Sequence, residues 1–131
     1  MIRILIGSPI KREPEILSLF LESLRNLDTE GLSIDYFFYD DNNCPESYNL
    51  LKSFKPKILK RAKDNVNFVC NETSHFWVKQ NIERVALFKD EIMDYARDNK
   101  YDYLFLIDSD VLIYPQTLRK LSRKPMTLVM G

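Results

Sequence analysis

Short apolar runs alternate along this chain with longer stretches in which apolar residues recur every three or four positions. Residues 2–6, IRILI, form a β-branched run that meets Gly7-Ser8-Pro9, which predicts a strand stopped by turn residues. Pro14 suits the first turn of a helix, and Leu17, Phe20, Leu21, Leu24 and Leu27 follow at helical spacing. Gly31 falls just past that helix, where a left-handed residue is often needed. SIDYFFYD, 33–40, reads as a second strand closing on Asp40-Asp41-Asn42.

A second helix is expected from Glu46, with Tyr48, Leu51 and Phe54 on one face, broken at Pro56. VNFVC, 66–70, predicts a third strand, and NETSHFWVKQ, 71–80, a loop without periodicity. The longest helix is expected from Asn81 to Asn99, with Val85, Phe88, Ile92 and Ala96 facing inward. YLFLI, 103–107, is a continuous apolar run of strand length, as expected for a strand covered on both faces. A short helix over 115–123 and an apolar stub, MTLVM, complete the pattern. Strands alternating with helices imply an α/β fold, a Rossmann-like open, mainly parallel sheet with helices on both faces. The expectation is a single domain over 1–131.

Composition narrows the function. Apolar residues make up 45% and charged residues 29% of the 131 positions, which fits a soluble globular chain. Lysine plus arginine and aspartate plus glutamate both count 19, so no basic excess points to nucleic acid. Three glycines, at 7, 31 and 131, are too few for a P-loop or a dinucleotide fingerprint. No apolar run has membrane-spanning or signal-peptide length, so the chain is expected to be cytoplasmic and not transmembrane. Cys44 and Cys70 then read as reduced thiols, and His75 as a structural or surface residue. The basic set Lys52, Lys55, Lys57, Lys60, Arg61 and Lys63 reads as a solvated helical face.

Ligands of open parallel sheets bind beyond the carboxyl ends of the strands. Gly7-Ser8-Pro9, Asp40-Asp41-Asn42, Cys70-Asn71-Glu72 and Asp108-Ser109-Asp110 all arrive at that edge. Residues two apart in extended chain point the same way, so Asp108 and Asp110 would present both carboxylates to one site. A divalent cation relieves their repulsion, and oxygen ligands suit Mg²⁺ or Mn²⁺ completed by substrate phosphates. Eleven aspartates would give roughly one Asp-x-Asp by chance, so position at a buried strand's end carries the argument. Asp40 and Asp41 are either a solvated turn or acceptors for a ligand's base or sugar. Arg84 is either a surface arginine or the cation best placed to face a phosphate.

Gly7-Ser8-Pro9, Asp40-Asp41-Asn42, Arg84 and LFLIDSDV, in this order, resemble family 2-type glycosyltransferases of the GT-A fold. The resemblance implies a transferase whose partner is a nucleotide-diphospho-sugar donor, most often UDP-linked, with Mn²⁺ or Mg²⁺ as cofactor. It implies that Asp110 holds the metal, with Asp108 on the metal shell or the ribose and Ser109 among the residues that bind the nucleotide-sugar. Asp40 or Asp41 would face the uracil, Arg84 the nucleotide, and Ser8-Pro9 would floor the pocket. Ile10-Lys11 departs from the family's Tyr-Asn. The family continues past this point with strands that build the acceptor site and supply a general base. The chain is therefore expected to be the nucleotide-binding half, with the sheet edge covered by a second copy or a partner chain. The alternatives are a nucleotide-sugar-binding or assembly module without turnover, and a haloacid-dehalogenase-like phosphatase using Asp108 as nucleophile and Asp110 as acid/base.

Overall fold

A computed structural model describes residues 2–62, 75–109, 111–118 and 128–130. The elements in order are β1 (Ile2–Ile10), α1 (Pro14–Arg25), β2 (Leu32–Asp40), α2 (Pro45–Phe54), β3 (Ile58–Arg61), α3 (His75–Asp98), β4 (Tyr103–Leu106) and β5 (Leu128–Met130). The five strands pair in the order β3-β2-β1-β4-β5, every pair parallel. The chain winds outward from β1 to β2 and β3, then returns to the other side of β1 for β4 and β5. This is the α/β, Rossmann-like parallel sheet expected from the alternation, and its winding reverses between β1 and β4.

Alternation along the strands divides the core between two faces. Ile4, Ile6 and Ile10 of β1 join Leu17, Phe20, Leu21 and Leu24 of α1 and Leu51 of α2 in one cluster. Leu5, Phe37, Leu104 and Leu106 join Ile92 and Ala96 of α3 in the other. Gly7 faces α3, and a Cβ there would sit 2.4 Å from Ile92 Cγ2. Glycine therefore lets the long helix lie directly on the central strand.

Several expectations are corrected. β1 does not stop at Gly7-Ser8-Pro9 but runs to Ile10, paired along its whole length with β2. Residues 58–61, ILKR, form an edge strand, so Lys60 and Arg61 lie on β3 and not on a helical face. Their charge suits an edge that must not recruit another strand. Residues 75–80 belong to α3 and not to a loop. Once the amphipathic part is helical, each further residue adds a backbone hydrogen bond at small cost. Gly31 has φ +77° but serves the turn into β2, where Leu32 N donates to Thr29 O at 2.9 Å. The chain turns at residues 115–116 and is helical at 117–118, and the remainder of the helix expected there lies outside the described residues. The strand expected at 66–70, with Cys70, also lies outside them. The closing stub is β5. Among the described residues, no helix is long and apolar enough to cross a membrane.

Candidate functional site

The site begins with a proline inside a strand. Successive residues of a strand turn their N–H and C=O groups to opposite sides. Gly7 O accepts from Ile107 N at 3.1 Å on the β4 side, and Ile10 O accepts from Asp41 N at 2.9 Å on the β2 side. Pro9 shares Gly7's side, where pairing with β4 runs as far as Gly7 and Leu106. Having no N–H, Pro9 cannot supply the next rung, to Ile107 O, so the β4 ladder stops there and β1 continues along β2 alone. There β1 and β4 part, at the point where the sheet's winding reverses.

The parting opens a cleft of about 350 Å³ lined by Pro9, Ile10, Lys11, Arg12, Asp41, Val85, Asp108 and Ser109. Asp41 and Asp108 come from the ends of the two strands that flank β1. Asp41 is buried and held by Arg84 of α3: Nη2 donates to Oδ1 at 2.8 Å, and Nε lies 3.1 Å and 3.2 Å from the two oxygens. The guanidinium carbon stands 5.3 Å from the centre of the Phe88 ring, and Phe88 stacks on Tyr39 at 4.0 Å. These two rings support the arginine from below. Asp108 is half exposed, with Oδ1 3.4 Å from Lys89 Nζ. Ser109 beside it is buried.

Ser8 and Asp40 lie behind this surface. Ser8 is fully buried and its hydroxyl donates to Pro9 O at 3.3 Å. Asp40 is also fully buried, and its Oδ1 accepts from Asn42 N at 3.1 Å and Asn42 Nδ2 at 2.6 Å. Its Oδ2 lies 3.6 Å from Arg61 Nε. Asp110 lies outside the described residues. The structure thus gathers Pro9, Asp41, Asp108 and Ser109 at one cleft and sets Arg84 on Asp41. Lys11, Arg12 and Lys89 were not anticipated. The signal for the first two was available, since two adjacent bases follow directly on a strand that ends at the sheet's carboxyl edge. Lys89 carries no such mark on a helix with many charges.

Among the described residues, no group of three or more His, Cys, Asp or Glu side chains could by itself hold a metal ion. Asp108 offers a half-exposed carboxylate at the mouth of the cleft, which fits the way Mg²⁺ and Mn²⁺ take one or two carboxylates and fill the rest with water and phosphate.

The profile of glycosyltransferase family 25, N-terminal domain, matches residues 3–131. The chain belongs to this family. A glycosyltransferase 25 family member of Drosophila pseudoobscura pseudoobscura is 29% identical over 140 residues, covering 96% of this chain and 22% of that protein. Family members of Drosophila melanogaster and Aedes aegypti are 25% and 24% identical, over 96% and 91% of this chain and 22% and 21% of theirs. The chain spans about a fifth of the length of these family 25 relatives. The expected kinship with glycosyltransferases holds at that level, and the family is family 25 where the motifs resembled family 2. Motifs as short as Asp-x-Asp arise readily by chance and do not separate one family from another.

Proposed function

We propose that this chain forms the donor-binding part of a glycosyltransferase of GT-A type and takes a nucleotide-diphospho-sugar, UDP-linked, in the cleft between β1 and β4. The observation that carries the reading is the meeting of Asp41 and Asp108, from the strands either side of β1, at the reversal of the sheet. Ligands of open α/β sheets bind at that point. Membership of family 25 supports transfer of a glycosyl group over the phosphatase alternative.

In this reading Asp108 and Asp110 hold Mn²⁺ or Mg²⁺, which when bound would offset the charge of the departing diphosphate. Asp41 retains acceptor capacity on Oδ2, which takes one long hydrogen bond from Arg84, and would receive an N–H of the base. Arg84 orients that carboxylate beside the nucleotide. Pro9 and Ile10 form the apolar side of the pocket, with Ser8 packed beneath them and Ser109 holding the turn between the acids. Buried Asp40 braces the loop after β2. The chain is assigned donor binding and no general base.

Calorimetric titration of UDP with and without Mn²⁺ tests the reading. Binding that strengthens with the metal supports it, and absence of binding at millimolar UDP in both conditions overturns it. Release of free sugar from the bound donor, or its transfer, separates a transferring chain from a module that binds without turnover.

A further inference from the structure

Lys89 reaches Asp108 from α3. Val85, one helical turn earlier, lines the cleft, so Lys89 rises from the face of α3 that overlooks it. The root of the side chain is fixed. Phe88 before it and Ile92 after it are buried, and Ile92 lies directly against Gly7 of β1. The ammonium is held far less firmly. Nζ stands 3.4 Å from Asp108 Oδ1, and the two side chains are 25% and 55% exposed. A tight charge-assisted hydrogen bond measures roughly 2.8 Å, and ion pairs this open to water are weak. Arg84 makes the contrast, since two of its nitrogens engage the buried Asp41. Of these two ion pairs at the cleft, one is locked and the other is built to exchange.

The donor reading gives Asp108 a second cation, a divalent metal. An ammonium and a metal ion compete for one carboxylate, because like charges at contact distance repel. We propose that Lys89 is an exchangeable cation of the donor site: it neutralises Asp108 before the metal binds, then yields the carboxylate and turns to the diphosphate of the donor. Lysine suits this task because its charge is compact and sits on a flexible stem, so the head moves while the helix stays in place. The inference rests on the donor site proposed above and adds to it a residue that couples metal binding to donor binding.

The test uses the whole chain as the native protein, Lys89→Met, Asp108→Asn and the double variant. Mn²⁺ alone is titrated by the electron paramagnetic resonance signal of the free ion, and UDP by calorimetry in millimolar Mn²⁺. Lys89→Met is expected to bind Mn²⁺ alone about two- to five-fold more tightly, since a competing ion pair is removed. It is expected to bind UDP in Mn²⁺ about ten-fold less tightly, since a charged donor to phosphate is lost. Damage to the fold would weaken both, so opposite signs identify the exchange. In the Asp108→Asn background Lys89→Met is expected to bring no gain in Mn²⁺ binding. Mn²⁺ binding no tighter in Lys89→Met than in the native chain, or a gain equally large without Asp108, overturns this inference alone. Unchanged UDP binding by Lys89→Met overturns the move to the diphosphate. No binding of UDP by the native chain overturns the donor site, and this inference with it.

Discussion

Arg84 and Asp41 form a two-nitrogen ion pair at the mouth of the cleft, with Nη2 2.8 Å from Oδ1 and side chains 17% and 8% exposed. The aspartate directly follows β2 and the arginine lies on α3, so the pair ties the sheet's carboxyl edge to the helix that crosses it. Removing one partner of a buried pair leaves a charge without compensation. Arg84→Ala is expected to destabilise the fold by roughly 2–4 kcal/mol, less than a fully dry pair because the arginine is in part exposed. Urea unfolding measures it. An effect below about 0.5 kcal/mol would mean the pair is as weak as one on the surface.

Gly7 lies directly against Ile92, and this sets a second expectation. Gly7→Ala forces the new methyl into Ile92 Cγ2. Overpacking of this kind costs on the order of 1–3 kcal/mol. Because the clash needs both side chains, Gly7→Ala combined with Ile92→Ala should be more stable than the sum of the single losses. Strict additivity in the double-mutant cycle would refute the contact.

Lys100 follows α3 with φ +56°, its N–H donating to Arg97 O at 3.1 Å. A non-glycine residue in this region carries strain that glycine does not. Lys100→Gly is therefore expected to stabilise the chain by about 0.5–1 kcal/mol. The change in thermal midpoint should be upward, and a fall would contradict the assigned backbone.

Burial pushes the Tyr36 phenol up from 10.0 to about 12. The folded-state value is the higher one, so the stabilisation is complete below pH 10 and is lost as pH rises through 12. The loss over that window is on the order of 2 kcal/mol. Tyr36→Phe removes the ionising group, and its stability should decline less steeply between pH 10 and 12. Parallel curves for the two proteins would show that Tyr36 does not contribute.

What could be read in advance follows from packing. YLFLI announced a strand covered on both faces, and Phe105 and Ile107 do enter one core while Leu104 and Leu106 enter the other. α1 was legible because its apolar stripe meets a single face of the sheet. β3 was hidden because an edge strand of four residues carries no apolar alternation, and its charges resemble those of a solvated helix. At the site, the pair Asp40-Asp41 was visible, but not which of the two lines the cleft. Neighbouring residues of extended chain face opposite ways, and the register that sends Asp41 to α3 and Asp40 into the interior is set by β2 as a whole. β1 runs on past Pro9 because the missing N–H faces β4 and ends only that ladder, while the ladder to β2 continues to Ile10.

The central claim is that a metal and a nucleotide meet at Asp108 in the cleft between β1 and β4. Paramagnetic broadening of amide resonances by Mn²⁺, recorded with UDP present, tests it most directly. The amides of Ile10, Lys11, Asp108 and Ser109 are expected to broaden first, and the effect to disappear in Asp108→Asn. Broadening centred on other acidic surfaces such as Asp94 and Asp98 of α3, or unchanged in Asp108→Asn, would contradict it.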